Sequence, residues 1–177
     1  MKDNLSDIEN QLLVMEAQDG DAEAMEKLVC RWQKKLWQYV FRLTYNSQAT
    51  WDITQQCWLE IIKGLKKLND PACFKAWAYR IATNKSIDWL KNKSKDQHIN
   101  LDSIEVGCYQ EKDDLEVNEL IQGLKNDSRT VLSLYYFEQL SISEISIALN
   151  IPQGTVKSRL FKARGELKQL WEKYFDN

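Results

Sequence analysis

Apolar residues recur at intervals close to 3.6 along almost the whole chain, and no stretch alternates convincingly with period two. The pattern predicts helices throughout. In "EAMEKLVCRWQKKLWQYVFRLTY" the positions Met25, Leu28, Val29, Trp32, Leu36, Tyr39, Val40 and Leu43 make one stripe, with Asp21 as its N-cap. In "WDITQQCWLEIIKGLKKL" the residues Ile53, Cys57, Leu59, Ile61, Ile62 and Leu65 surround a broader apolar surface. Asp70 before Pro71 supplies a capping carboxylate and then a proline at a first helical position, opening a helix whose buried face is Phe74, Trp77, Ala78 and Ile81.

The periodicity fails from residue 96 to about 118. "DQHINLDSIEVGCYQEKDDLEVN" carries seven acids against one lysine and reads as a flexible acidic linker, with at most a short helix at its end. Helical spacing resumes at Glu119. Ser141 and Glu144 fit a capping box opening a short helix with Ile142, Ile145 and Leu149 as its apolar positions. "NIP" ends that helix, because a residue before proline is pushed out of the α region. A longer helix follows from about Gln153, and the pair makes a helix-turn-helix. The expected fold is therefore all-α. Two small helical domains, 1–95 and 119–177, are joined by the linker 96–118, and the second domain is the helix-turn-helix.

The formal net charge is −2, so nothing supports a general affinity for polyanions, and any such site must be local. Cys30, Cys57, Cys73 and Cys108 form no CxxC pair and read as buried reduced thiols. With one histidine, His98, no glycine-rich phosphate loop and no acidic cluster at metal-ligand spacing, a hydrolase or metal enzyme is disfavoured; no metal, cofactor or catalytic residue is expected. The N-terminus carries acids where a signal peptide needs cations, and no apolar run approaches a membrane span. A soluble, cytoplasmic chain with no membrane insertion is expected.

Against that acidic background, Lys157, Arg159, Lys162, Arg164 and Lys168 crowd one helix. At about 100° per residue, Val156, Leu160, Ala163 and Leu167 fall together and face inward, while Lys157, Ser158, Phe161 and Lys162 face outward. One reading is a solvated basic helix. The other is a helix in a DNA major groove, where lysines reach guanine acceptors or phosphates and an apolar ring meets a thymine methyl. The exposed Phe161 favours the second, and Thr155 and Arg159 flank that face with phosphate-type contacts. The basic stretch 63–95 is interleaved with Phe74, Trp77, Tyr79 and Trp89, a composition suited to single strands; Phe74 and Trp77 read as core, while Tyr79 and Trp89 are more open.

These residues resemble a known family. "LSISEISIALNIPQGTVKSRLFKAR" resembles the promoter-reading fourth region of bacterial RNA polymerase sigma factors, especially the extracytoplasmic-function (ECF) group of the sigma-seventy superfamily. "WDITQQCWLEIIKGL" resembles the second-region helix that docks on the polymerase clamp. "FKAWAYRIATNKSIDWLKNK", with W-x-Y-R-I-A-x-N-x-x-x-D from Trp77 to Asp88, resembles the helix that melts and reads the downstream promoter element. The resemblance covers about residues 20–95 and 119–172 and leaves no room for a third-region domain.

It implies a promoter-specificity subunit with three kinds of partner: core RNA polymerase, promoter DNA both double-stranded and melted, and an anti-sigma factor. Polymerase binding would fall to Asp52, Gln55 and Gln56, the last standing where the family usually has an acid. Downstream-element contacts would fall to Lys66, Asn69, Asp70, Tyr79, Asn84 and Lys91, with the loop "KKLND" taking a flipped-out base. Upstream-element contacts would fall to Thr155, Lys157, Ser158, Arg159, Phe161 and Lys162. The linker would follow the polymerase's RNA path. An autonomous repressor or activator with the same helix-turn-helix is the competing class, and the basic-aromatic first module argues against it.

Overall fold

Every regular element of the computed structural model, which describes residues 2–95 and 120–175, is helical, with no strand among the described residues. The segment expected to be an acidic linker along the polymerase's RNA path, with its terminal short helix, lies outside the described residues, as do His98 and Cys108.

The first helix, α1 (Lys2–Asp19), is not foreshadowed by one-sided periodicity, because its apolar residues lie on two faces. Val14 and Ala17 are buried, while Leu5, Ile8, Leu12 and Met15 are exposed. Gly20, at φ 98°, turns the chain in a conformation that a side chain would resist. Asp21 then caps α2 (Ala22–Thr44), its Oδ1 accepting from the N–H groups of Glu23 and Ala24 at 2.8 and 3.1 Å. Tyr45 closes α2 in the left-handed region, and Asn46 caps α3 (Ser47–Gly64) by accepting from Ala49 N–H at 2.8 Å. Asp70 and Pro71 open a 3-10 turn (Pro71–Cys73) rather than the helix itself, which begins with α4 (Phe74–Lys95).

The stripe predicted for α2 is inside: Leu28, Trp32, Leu36, Tyr39, Val40 and Leu43 are buried. Trp32 and Tyr39 meet Phe74 and Tyr79 of α4 edge-on, with ring centroids 5.0–5.8 Å apart. Each such side chain contributes about 1.5–3 kcal/mol by leaving water, before entropy is set against it. The buried thiols expected at all cysteines hold for Cys57 only among those described; Cys30 is exposed and Cys73 half-buried.

In the C-terminal part, α5 (Asn126–Leu132) runs on into a π-helical turn (Ser133–Phe137). Helix α6 (Ile142–Leu149) and α7 (Gln153–Phe175) follow. Both halves of the capping box are present: Ser141 Oγ accepts from Glu144 N–H at 3.2 Å and Glu144 Oε2 accepts from Ser141 N–H at 2.8 Å. Asn150 ends α6 at φ 52°, and the Ser146 hydroxyl donates to the Ile151 carbonyl at 2.6 Å, fastening the turn.

The two groups of helices share one contiguous core. α4 packs on α6, and α2 on α5. At the seam Glu138, almost fully buried, accepts from Arg42 of α2 and from the Tyr79 hydroxyl of α4. Arg42 also lies over the Phe137 ring, 4.4 Å from its centroid. Arg129 of α5 donates to the Leu43 carbonyl at 3.0 Å, and Lys75 of α4 to the Gln139 carbonyl at 3.3 Å. Burial pushes the Glu138 carboxyl above its ordinary value, and the Arg42 charge opposes that.

Candidate nucleic-acid interface

The turn geometry of α6 and α7 decides what α7 shows to solvent. Val156, Leu160 and Ala163 are buried under α6 and α5, and Leu167 is partly buried, as the wheel predicts. That orientation leaves Lys157, Ser158, Phe161 and Lys162 outward, with Phe161 82% exposed, the most exposed large apolar side chain described. Thr155 is half-buried at the start of the helix. The five cations are not equivalent. Arg159 pairs with Asp127 of α5 at 3.3 Å, and Lys162 and Lys168 lie 4.0 and 3.7 Å from Glu166 and Glu172. Arg164 donates to the Tyr136 hydroxyl at 2.8 Å and lies over its ring. Exposed pairs of this kind contribute only about 0–1 kcal/mol, so a phosphate can displace them.

A second surface lies on α3. Ile53, Cys57 and Ile61 point inward, which leaves Asp52, Gln55 and Gln56 exposed. The same turn of the helix exposes Leu59 and Ile62, at 58% and 49%. The sequence pattern counts both within one broad apolar surface of the helix. At about 100° per residue Leu59 lies in line with Asp52 and Ile62 with Gln55, so the polar positions and these two apolar ones form one strip. That alignment is the signal that locates them. Trp51, also exposed, stands over Trp37 with centroids 6.0 Å apart.

The third surface is an open cleft of roughly 460 Å³ lined by Gly64, Lys67, Leu68, Asn69, Asp70, Cys73 and Trp77. Asp70 Oδ1 accepts from Ala72 N–H at 2.9 Å, which ties one carboxylate oxygen to the turn. From behind, Gln18 of α1 donates to the carbonyls of Leu65 and Leu68 at 2.9 and 2.7 Å, bracing the loop. Gly64 lets the Trp77 ring form a wall: a Cβ there would sit 2.8 Å from Trp77 Cζ2. Lys66, Asn69 and Asp70 are exposed at this loop, and Asn84 and Lys91 are exposed on α4. Tyr79 is a correction. Expected at the promoter surface, it is buried, and its hydroxyl donates to Glu138; burial and the Glu138 charge together hold that hydroxyl well above its usual value. Phe74 is core, whereas Trp77 and Trp89 are half-buried.

No three of the described His, Cys, Asp and Glu side chains stand where they could hold a metal ion, and no described helix is long and apolar enough to cross a membrane.

Two family models match successive parts of the chain. Residues 28–96 match the family described as sigma-70 region 2, and residues 114–167 match sigma-70, region 4. The RNA polymerase sigma-H factor of Pseudomonas aeruginosa is 29% identical over 90% of this chain and 92% of its own length. The ECF RNA polymerase sigma factor SigW of Bacillus subtilis is 29% identical over 88% and 93%. The ECF RNA polymerase sigma-E factor of Escherichia coli is 29% identical over 93% of each. Among solved structures, CnrH in complex with the cytosolic domain of CnrY superposes with a TM-score of 0.74 at 23% identity, over 93% of this chain and 98% of that one. RpoE of Bartonella quintana, in complex with the anti-sigma factor NepR, superposes with a TM-score of 0.71 at 18% identity, over 83% and 96%.

Proposed function

The chain is a sigma-70-family protein of the ECF group, and from that premise we propose how its surfaces divide the work of promoter-specific initiation. Residues 1–95 bind core RNA polymerase and open the downstream element, 96–118 connect, and 119–177 read the upstream element. It acts without a catalytic centre of its own, in the cytoplasm, and an anti-sigma protein holds it when it is inactive. The observation that carries this reading is the occurrence of both family regions in one chain, in order.

The strip Asp52, Gln55, Gln56, Leu59 and Ile62 docks on polymerase. Its polar groups supply hydrogen bonds, and its two exposed apolar residues supply area that leaves water on binding. Gln56 lacks the charge an acid would add, so steering toward a basic surface is weaker while the hydrogen bonds remain.

On α7, Lys157, Ser158, Phe161 and Lys162 enter the major groove of the upstream element. Arg159 exchanges Asp127 for a DNA phosphate, and Thr155 borders the same backbone. At the downstream element, the loop from Lys66 to Asp70 receives an unpaired base in the cleft against Trp77, whose ring gives a stacking wall. Asn84 offers both a donor and an acceptor to a base edge, and Lys91 follows the phosphates.

Run-off transcription with core polymerase on a genomic promoter library tests the whole reading. Transcripts from a restricted promoter set, dependent on this chain, are expected. An absence of chain-dependent transcripts across the library would sink it.

A further inference from the structure

The outward face of α1 has no role in the functions proposed above. Leu5, Ile8, Leu12 and Met15 are 62, 50, 53 and 50% exposed, although the opposite face of the same helix is packed on α2 through Val14, Ala17 and a hydrogen bond from Trp32 Nε1 to Asn10. Their spacing is 3-4-3, which is the a/d seam of a coiled coil. α1 is 18 residues long, about 27 Å, enough for a two-heptad contact. Scattered single apolar residues on a surface are ordinary, whereas these four form a continuous line.

The charges beside the seam select the occupant. Glu9 and Glu16 border it on one side and Asp19 continues its line, while residues 5 to 19 contain no lysine or arginine. Glu9 is shared with Arg31 at 2.6 Å and Glu16 lies within electrostatic reach of Lys27 of α2, while Glu16 and Asp19 are both exposed. A second copy of this chain fits poorly, since a parallel pair sets Asp19 against Asp19 and an antiparallel pair sets the bordering glutamates together. The chain's own residues 96–118 carry seven acids and one lysine and are repelled. An anionic bilayer favours helices with lysine and arginine on the polar side, the reverse of what α1 has.

We infer that the outer face of α1 is a docking seam for an amphipathic α-helix of another protein, with leucine-type residues at its a and d positions and lysine or arginine bordering them. The helix that docks is not part of core polymerase, whose proposed strip is on α3. It would lie on the element whose Gln18 braces the cleft loop.

The probe is a synthetic two-heptad helical peptide with leucine at a and d and lysine at e and g, labelled for fluorescence anisotropy against the full chain. A second peptide carries glutamate at e and g. The lysine peptide is expected to bind, and the glutamate peptide to bind at least about tenfold more weakly. Ile8→Ser with Leu12→Ser should abolish binding while leaving co-purification with core polymerase unchanged. Glu16→Lys with Asp19→Lys should reverse the preference between the peptides; a cation at Asp19 suits a helix C-terminus, so this variant keeps α1 folded. Four results would each overturn the proposal. These are lysine-peptide binding that survives the double serine variant, self-association in sedimentation that depends on Ile8 and Leu12, loss of polymerase binding in the serine variant, and binding to phosphatidylglycerol vesicles.

Discussion

Phe161 shows how one side chain can separate packing from recognition. It is 82% exposed, so Phe161→Ala should leave helicity and thermal stability nearly unchanged. On DNA the same change should cost about 1–3 kcal/mol and relax preference at one position, whereas Arg159→Ala should weaken all sequences alike. Binding titrations on a library of upstream elements, at two salt concentrations, separate the two behaviours. At the cleft, Gly64→Ala drives a methyl group into Trp77, at an expected cost of about 1–3 kcal/mol from overpacking. Open complexes should fall more than closed ones, and a premelted template should restore most of the loss; no rescue would mean that the residue serves folding alone. The thiols give a chemical check on burial. Cys57, pushed up to about 12 by burial, should resist alkylation until the protein unfolds, while exposed Cys30 reacts in the native state. Early modification of Cys57 would place that part of α3 outside the core.

At the scale of helices, the proposed α3 strip predicts two complete losses. Leu59→Asp and Asp52→Arg should each abolish co-purification with core polymerase without altering helix content, because both side chains are exposed. Full binding by either variant would remove the strip from the interface. The helices themselves were largely legible in the sequence, and the reason is local. The capping box at Ser141 and Glu144, the stripe on α2 and the inward face of α7 are all decided by neighbours within one or two turns. α1 escaped because its apolar residues point two ways and cancel as a one-sided signal. The apolar surface read on α3 divides into a buried side and an exposed side bearing Leu59 and Ile62, because hydrophobicity alone does not say which apolar positions a neighbouring helix covers. Tyr79 was misplaced because its partner, Glu138, lies 59 positions along the chain, where no periodicity reaches.

For the whole molecule, Glu138 stands where the two groups of helices pack together. Glu138→Ala leaves the Arg42 guanidinium and the Tyr79 hydroxyl without their acceptor, at a cost of about 1–3 kcal/mol or more. Fluorophores on α3 and α7 should then report a larger mean separation. The seam also carries a pH signature. Burial raises the Glu138 carboxyl, against the charges of Arg42 and Lys35 and the hydrogen bond from Tyr79. A raised carboxyl makes the packed form the better proton binder. Packing is therefore strongest below the ordinary glutamate range and weakens as pH rises through the raised value. Glu138→Gln, which keeps an acceptor for Tyr79, should flatten that dependence in the same assay.

Covalent connection changes what such a seam must achieve. Residues 96–119 join one group of helices to the other in a single chain, so closing the seam is an intramolecular event, and for linked modules the effective concentration reaches the order of millimolar. A seam with an intrinsic dissociation constant of only ~10 μM would then be shut about 99% of the time. Reversing that ratio requires a ligand that prefers the open form by about 5.5 kcal/mol, the scale of a large docking surface rather than of a single contact. With a constant of that size, cutting the chain between residues 96 and 119 should release the halves at low micromolar dilution, and halves that stay together would mean a tighter seam.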